Sequence, residues 1–407
     1  MLRIISGLFV GVWIARYLGP EQFGILSYVI AFTSIFGGIA KLGLDAVMVR
    51  ELVNNPEKRD IYLGTAFWLK VLGAFIVMGL IGIIVPFTSN DPRTNVFIFI
   101  IAAGLIFQSF EVVEFYFQSQ VRAKIVSTCK IIQLVSSSLI KIYFISVGAE
   151  LIYFVVIVAF DVFALAVSYS IAYKINGNRD FYKCFNIGVA KKLLHSSWPL
   201  MLSAVVVIIY MRIDQIMIKE MLGEYEAGIY SAAIKLSEIF YFIPILITTS
   251  LFPAILASKK ESEKLYKKRL QWLYTLMFWM AMFIIIPIFF LSNKIIVTIF
   301  GAPYQAAGQV IMVHVWASIF VFWGVASGKW FLVENLQVLF LVNTAFGAGI
   351  NVLLNYKLIP IYGITGAAYA TLVSYAVAAY FMNFIFVKTR ANFYLLSYSI
   401  FPLWKQK

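Results

Sequence analysis

The sequence predicts an all-α integral membrane protein with about twelve transmembrane helices, in two pseudo-symmetric six-helix lobes around a central cavity. Three observations carry that prediction. The chain is 62% hydrophobic and 13% charged, where a soluble domain carries about 25% charged residues. Apolar runs of about 18 or more residues recur along its length, each enough to cross a bilayer core of about 30 Å. The third is a repeat. Residues 18–36, LGPEQFGILSYVIAFTSIF, return 204 positions later as LGEYEAGIYSAAIKLSEIF at 222–240. Leu18, Gly19, Gly24, Ile25, Ser27, Ile35 and Phe36 align without gaps on Leu222, Gly223, Gly228, Ile229, Ser231, Ile239 and Phe240. A repeat of half the chain in a membrane protein means two similar helical halves, the build of a transporter.

The alternation of a β-barrel strand is absent, and in lipid only helices and closed barrels satisfy their own backbone. The apolar pattern predicts spans at 3–18, 23–46, 62–86, 95–118, 124–147, 150–174, 195–218, 226–256, 269–291, 308–332, 336–358 and 363–388. The first starts almost at Met1, which points to a truncated start or a late initiation codon. A cleaved signal peptide is disfavoured, because the segment runs straight into the repeat without a small-residue cleavage site. The interval 175–194 is polar and basic and falls between spans six and seven. The expected organisation is therefore a lobe over 1–174, a cytoplasmic linker at 175–194, a second lobe over 195–388 and a cytoplasmic tail at 389–407. With six spans on each side of the linker, the repeats are parallel. The segment 292–307 reads as an amphipathic stretch on the outer surface.

Charge sets the orientation. With the N-terminus inside, the cytoplasmic loops, counted through Arg390, hold eighteen Lys and Arg and the outer loops four. The positive-inside rule then places both termini in the cytoplasm of a multi-pass cytoplasmic (inner) membrane protein. Much of the net +14 charge is thus topological. It is spread over short loops, which suits anionic membrane lipids and argues against nucleic acid as a partner.

Catalytic chemistry is not legible in this chain. It has no G-x-x-x-x-G-K-[ST] and no D-x-D, so neither a nucleotide P-loop nor a metal-holding carboxylate pair. His195 and His314 lack metal-ligand spacing, so no metal site is expected and each histidine is read as structural. Cys129 falls in a span and Cys184 in a cytoplasmic loop, so no disulfide is expected.

What remains is ionisable residues inside the spans, which are costly there and are functional candidates by default. Lys70 lies nine residues into its span, about 12–13 Å deep at 1.5 Å per residue. Lys235 has a similar depth. Lys141 and Arg212 sit nearer span ends, and Arg16 closes the first span. Lys41 and Asp45 are i,i+4 and are expected to neutralise each other. Glu111 and Glu114 share a face and call for cations or protons. Lys70 and Lys141 have no acid within four residues, so each needs a partner from another helix or from a ligand. Asp161, in the middle of its span, and Asp214, beside Arg212, are the candidate protonatable groups; Asp214 is the weaker of the two, because Arg212 or Lys235 can hold it ionised. Asn351 and Asn355 share one face of span eleven, as interhelical glue or as sugar partners.

The stretch ARYLGPEQFGILSYVIAFTSIFGGIAKLGLDAVMVREL (15–52) resembles the opening of the Wzx-type polysaccharide flippases, the O-antigen and lipid-linked oligosaccharide flippases of the multidrug/oligosaccharidyl-lipid/polysaccharide exporter superfamily. RIDQIMIKEMLGEYEAGIYSAAIKLSE (212–238), IFGAPYQAA (299–307) and GITGAAYATLVSY (363–375) are similar to later parts of that family. The resemblance covers essentially the whole chain and departs at its start, where the usual cytoplasmic lead-in is missing. It implies that undecaprenyl-diphosphate-linked oligosaccharide moves from the inner to the outer leaflet by alternating access. On that reading Arg16, Lys70, Lys141, Arg212 and Lys235 meet the diphosphate in the central cavity. Asp161 and Asp214 couple movement to a proton or sodium gradient, and a polysaccharide polymerase machinery is the candidate partner downstream. No cofactor is expected. The rival readings are a cation-coupled drug or small-molecule antiporter of the same superfamily and a membrane polymerase or ligase; the latter calls for a large outer loop that the chain lacks.

Overall fold

The computed structural model describes residues 2–177 and 180–401. Arg179 of the expected linker, the first residue and the last six residues of the expected tail lie outside the described residues. Among the described residues there is no β-strand. The chain divides into two compact units, Met1–Arg212 and Ile213–Lys407.

Unit 1 holds α1 (Leu2–Ala40), α2 (Leu44–Asn54), α3 (Arg59–Ile84), α4 (Pro92–Gly104), α5 (Glu111–Ser119), α6 (Ala123–Ser146), α7 (Leu151–Ile175) and most of α8 (Ile187–Leu222). Unit 2 takes the end of α8, then α9 (Glu224–Glu238), α10 (Phe242–Glu261), α11 (Glu263–Phe300), α12 (Ala307–His314), α13 (Ala317–Val333), α14 (Gln337–Tyr362), α15 (Ile364–Ala376), α16 (Met382–Ile385) and α17 (Arg390–Tyr398). Short tight turns of helix join α4 to α5, α9 to α10 and α15 to α16, so each pair continues as one rod. Helix starts carry the expected signals. The Asp91 side chain accepts from the Thr94 N–H at 3.0 Å ahead of Pro92, and the Ser262 hydroxyl accepts from the Leu265 N–H at 3.0 Å.

Among the described residues ten helices are long and apolar enough to cross a membrane, or eleven if Ala307–His314 and Ala317–Val333, bent by 41°, form one broken span. The protein is thus a multi-pass helical membrane protein. The twelfth expected span is inside α1. Two helices meet there at Gly19 (φ 70°, ψ 172°) with no loop between them. Its repeat partner Gly223 has φ 100°, ψ −179° and breaks the chain between α8 and α9. Both conformations need glycine. The sequence repeat is therefore a structural one at the residue that turns the chain.

Three sequence expectations change. The second span stops at Ala40, where Leu42 (φ 56°) and Gly43 (φ 62°) turn the chain into α2. Lys41 and Asp45 thus sit on either side of a turn, and no ion pair joins them among the described residues. The outer stretch 292–307 is not a separate surface element, because α11 runs on to Phe300 and ends only at Gly301 (φ 97°). The interval 175–194 is part of unit 1 and packs on α3. Phe181 is buried with Phe67 and Tyr173, Trp68 Nε1 donates to the Tyr182 carbonyl at 2.8 Å, and the Asn186 N–H donates to Thr65 Oγ1 at 3.1 Å. A β-carbon on Gly64 would collide with the carbonyls of Phe181 and Cys184, so the bare backbone of α3 is the seat for this segment.

Beneath it, Glu51 of α2 accepts from Lys192 Nζ at 2.5 Å and from the Tyr62 hydroxyl at 3.1 Å. The Lys192 hydrogen bond holds the Glu51 carboxyl below its ordinary 4.5, against burial and with help from Tyr62. A depressed carboxylate stabilises the fold above its unfolded pKa, and that contribution is lost as pH falls through the folded value. Thermal unfolding from neutral pH downward should show this acid loss in the wild type. Glu51→Gln should start less stable at neutral pH and lose less on acidification; a parallel decline in both proteins would remove the assignment.

The helix surfaces have inverted polarity. In α14, Asn343, Asn351 and Asn355 are buried while Leu353 and Tyr356 point outward, 64% and 70% exposed. Such a helix is unstable in water and natural in lipid, where polar groups must find partners inside the protein.

Candidate functional site

Two polar clusters lie within the spans, one in each unit. In unit 1, α6 carries Lys130, Gln133, Ser137 and Lys141 at spacings of three and four, which puts them on one face. That face spans about 16 Å, half the hydrocarbon thickness. Against it, α7 brings Asp161 and, two turns on, Tyr169. Lys141 Nζ donates to Asp161 Oδ2 at 2.8 Å and Gln133 Nε2 to Asp161 Oδ1 at 2.9 Å. Lys130 Nζ donates to Glu114 Oε1 at 2.6 Å, and the Tyr169 hydroxyl to Glu114 Oε2 at 2.6 Å. On the neighbouring helix α3, Lys70 is 2% exposed, donates to Glu111 Oε2 at 2.7 Å and lies 5.1 Å from the Phe115 ring centre. Lys41 adds positive charge near Glu111.

Lys70 and Lys141, which have no acid within four residues, thus take one from another helix. Glu111 and Glu114 receive the cations that their shared face called for. Two carboxylate–lysine pairs in low dielectric attract strongly, yet each charge left alone would cost several kcal/mol. Either member can therefore change its company only if a proton or a ligand charge replaces what it loses. Arg16 is exposed on α1, Arg212 is half-buried at the end of unit 1, and Lys235 is half-buried on α9 in unit 2. Lys70 and Lys141 belong to separate ion pairs.

The unit 2 cluster is of another kind. Asp214 of α8 is buried, and its carboxylate accepts from the Tyr230 hydroxyl at 2.8 Å, from Asn355 Nδ2 at 2.6 Å and from Thr371 Oγ1. Asn355 Nδ2 also donates to Asn351 Oδ1 at 3.1 Å. No Lys or Arg stands among these hydrogen-bond partners of Asp214. Three neutral donors surround it instead. The side-chain amide of Asn343, Asn351 Nδ2 and Asn355 Oδ1 have no hydrogen-bond partner although buried. The cluster thus leaves a buried carboxylate held by neutral groups, with amide atoms of Asn351 and Asn355 unspent. Sequence reasoning had Asp214 and the two asparagines but missed Tyr230 and Thr371. Tyr230 stands inside the repeat and Thr371 inside GITGAAYATLVSY, and neither residue type signals an ion site by itself.

His314 is buried and its Nδ1 lies 2.8 Å from Ser237 Oγ, a local hydrogen bond in the core of unit 2. Cys129 and Cys184 are both free.

The sequence model of the family described as polysaccharide biosynthesis protein matches residues 2–259. The chain belongs to that family. A probable flippase AglR of Haloferax volcanii is 25% identical over 387 residues, covering 90% of this chain and 77% of the relative. A probable low-salt glycan biosynthesis flippase, Agl15, of the same organism is 25% identical over 208 residues, 49% of this chain and 43% of the relative. Among solved structures, an inward-facing multidrug resistance MATE family transporter of the MOP superfamily superposes with a TM-score of 0.76 at 14% identity, over 98% of this chain and 96% of that one. The lipid II flippase MurJ in an inward closed conformation gives a TM-score of 0.73 at 14% identity, over 98% and 89%. The polysaccharide family member therefore has the two-lobe transporter fold of the MOP superfamily, and the resemblance read from the sequence is borne out.

Proposed function

We propose that this family member is a flippase for lipid-linked glycan, carrying an undecaprenyl-diphosphate-linked oligosaccharide from the inner to the outer leaflet of the cytoplasmic membrane by alternating access. The relatives named as flippases and the fold shared with a lipid II flippase support the coarser reading. The observation that carries the rest is the Lys141–Asp161 pair at 2.8 Å. A diphosphate is an anion that must shed water in the membrane, and an ammonium or guanidinium group replaces that water. Lys141 is held by Asp161 until Asp161 takes a proton, which frees the ammonium for a phosphate oxygen. When the proton leaves, the carboxylate reclaims Lys141 and the phosphate is released. Lys70 and Glu111 form a second such pair, and Arg16, Arg212 and Lys235 complete the basic set. Asp214 is a second coupling group, for a sodium ion or a proton. Both termini lie in the cytoplasm, and a polymerase machinery consumes the delivered glycan.

A cation-coupled antiporter of the same superfamily is the alternative, but intramembrane lysines favour an anionic cargo over a cationic drug. Proteoliposomes loaded with lipid-linked oligosaccharide test the reading. A proton gradient should speed wild-type flipping by about tenfold, an ordinary coupling free energy. Asp161→Asn should bind the substrate and lose that dependence. A wild type that moves no lipid-linked glycan would defeat the flippase assignment. An Asp161→Asn protein that answers the gradient as the wild type does would defeat only the exchange at Lys141.

A further inference from the structure

Helix α17 has its polarity reversed for a helix on the outside of a protein. Its inward row is Thr389, Asn392, Leu396 and Ser399, all fully buried and three of them polar. Asn392 is the hub. Its Oδ1 accepts from the Tyr274 hydroxyl at 2.6 Å, and its Nδ2 donates to Asn383 Oδ1 at 3.1 Å and Ser327 Oγ at 3.3 Å. Gln271 Nε2 adds a bond to the Leu395 carbonyl at 3.0 Å. These bonds tie α17 to α11, α13 and α16 within unit 2. The outward row is aromatic: Tyr394 and Tyr398, one turn apart, are 51% and 60% exposed.

In water this arrangement is the wrong way round, since an amphipathic helix on a soluble protein buries its apolar side. At a membrane surface it is the right way round, because tyrosine rings favour the level of the headgroups. The geometry supports that level. The span Ile364–Ile385 ends five residues before α17 begins, and the chain turns at Phe386 through an extended conformation (φ −85°, ψ 128°). The intervening Val387 is also exposed, as are Lys388 and Arg390 at the start of α17. A basic start followed by an aromatic row matches an anionic headgroup layer over an acyl boundary.

We propose that α17 is a membrane-surface strap: its polar row grips the ends of three spans of unit 2, and its Tyr394–Tyr398 row seats in the lipid interface of the leaflet where Ile364–Ile385 ends. The segment read as a cytoplasmic tail is on this view a lipid-binding element. It rests on side-chain placement within unit 2 and not on the transport reading.

Site-directed spin labelling tests it with the full chain in phosphatidylcholine–phosphatidylglycerol liposomes. In a Cys129→Ser/Cys184→Ser background, nitroxides are attached at Tyr394→Cys, at Tyr398→Cys and, as an exposed control, at Lys264→Cys. Collisions with oxygen, which concentrates in lipid, are compared with collisions with a water-soluble nickel chelate. The oxygen-to-nickel ratio at 394 and 398 should exceed that at 264 by about threefold or more, as for an interfacial helix. Ratios equal to the control would mean that the row faces water and would overturn the proposal. Labels shielded from both reagents would overturn it as well, because a second copy of the chain would then cover the row. Both labelled positions lie on the exposed face, so neither substitution disturbs the Asn392 hub.

Discussion

Asp214→Asn should leave the protein folded and remove its response to the driving cation. Asparagine keeps the shape of the side chain and one acceptor oxygen. Its amide protons meet the hydroxyls of Tyr230 and Thr371, which can turn from donors to acceptors. What it lacks is the negative charge. In the wild type that charge sits buried among neutral donors with amide groups of Asn351 and Asn355 unspent, so a bound cation relieves a substantial penalty. A cation at about one hundred times its dissociation constant stabilises the folded state by about 2.7 kcal/mol. Thermal unfolding in sodium and in potassium, each at several pH values, reads this directly. The wild type should be stabilised by one cation, and Asp214→Asn by none. Flipping by the variant should be uncoupled from the same gradient. Asp214→Ala should be the harsher change, since it strands the Tyr230 hydroxyl and the Asn355 amide at about 1–3 kcal/mol each. Retention of the full wild-type ion response in Asp214→Asn would remove the site.

Lys70→Met should destabilise the protein by about 3–5 kcal/mol, the usual result of leaving half of a buried pair behind. Lys70 is 2% exposed and Glu111 23%, at 2.7 Å, so the orphaned carboxylate has little water to turn to. The double variant Lys70→Met/Glu111→Leu should recover most of that loss, because apolar replacements of a buried pair are often neutral or better. The recovered protein then separates structure from transport. With the fold restored, flipping of lipid-linked glycan should still be slower by about tenfold or more if the ammonium meets phosphate during movement. A double variant as stable and as fast as the wild type would reduce Lys70 to an interhelical tie. The measurements are thermal unfolding in detergent and flipping in vesicles on the same preparations.

Composition and apolar length were sufficient to read a multi-pass helical protein from the chain, because a bilayer imposes one requirement on every span, about twenty apolar residues. The repeat was equally legible. Gly19 and Gly223 occupy equivalent places in the repeat, and at both the backbone takes a positive φ that favours glycine, a conformational demand that is written in the residue type itself. The intramembrane charges were legible for a similar reason, since an ion in hydrocarbon is costly and therefore conspicuous. Which ions hold which was not. Lys70 and Glu111 are 41 residues apart, Lys141 and Asp161 are 20, and Asp214 and Thr371 are 157. Partners at such separations are chosen by helix packing, and periodicity along one helix carries no record of its neighbour.

The same division explains the remaining corrections. Lys41 and Asp45 have ideal helical spacing, yet Leu42 and Gly43 turn the chain between them, and one left-handed residue cancels a local pairing rule. The 175–194 segment is polar, but Phe181 and the bare face of Gly64 dock it on α3 within unit 1. Residues 390–398 read as part of a tail beyond the last span; only the packed unit reveals that their polar row points inward. The sequence alone determined the solvent of this protein, the rough place of its spans, its internal duplication and its family. The tertiary structure decided the company of every charge, because electrostatic energy inside a membrane depends on distances of a few ångströms that only packed helices define.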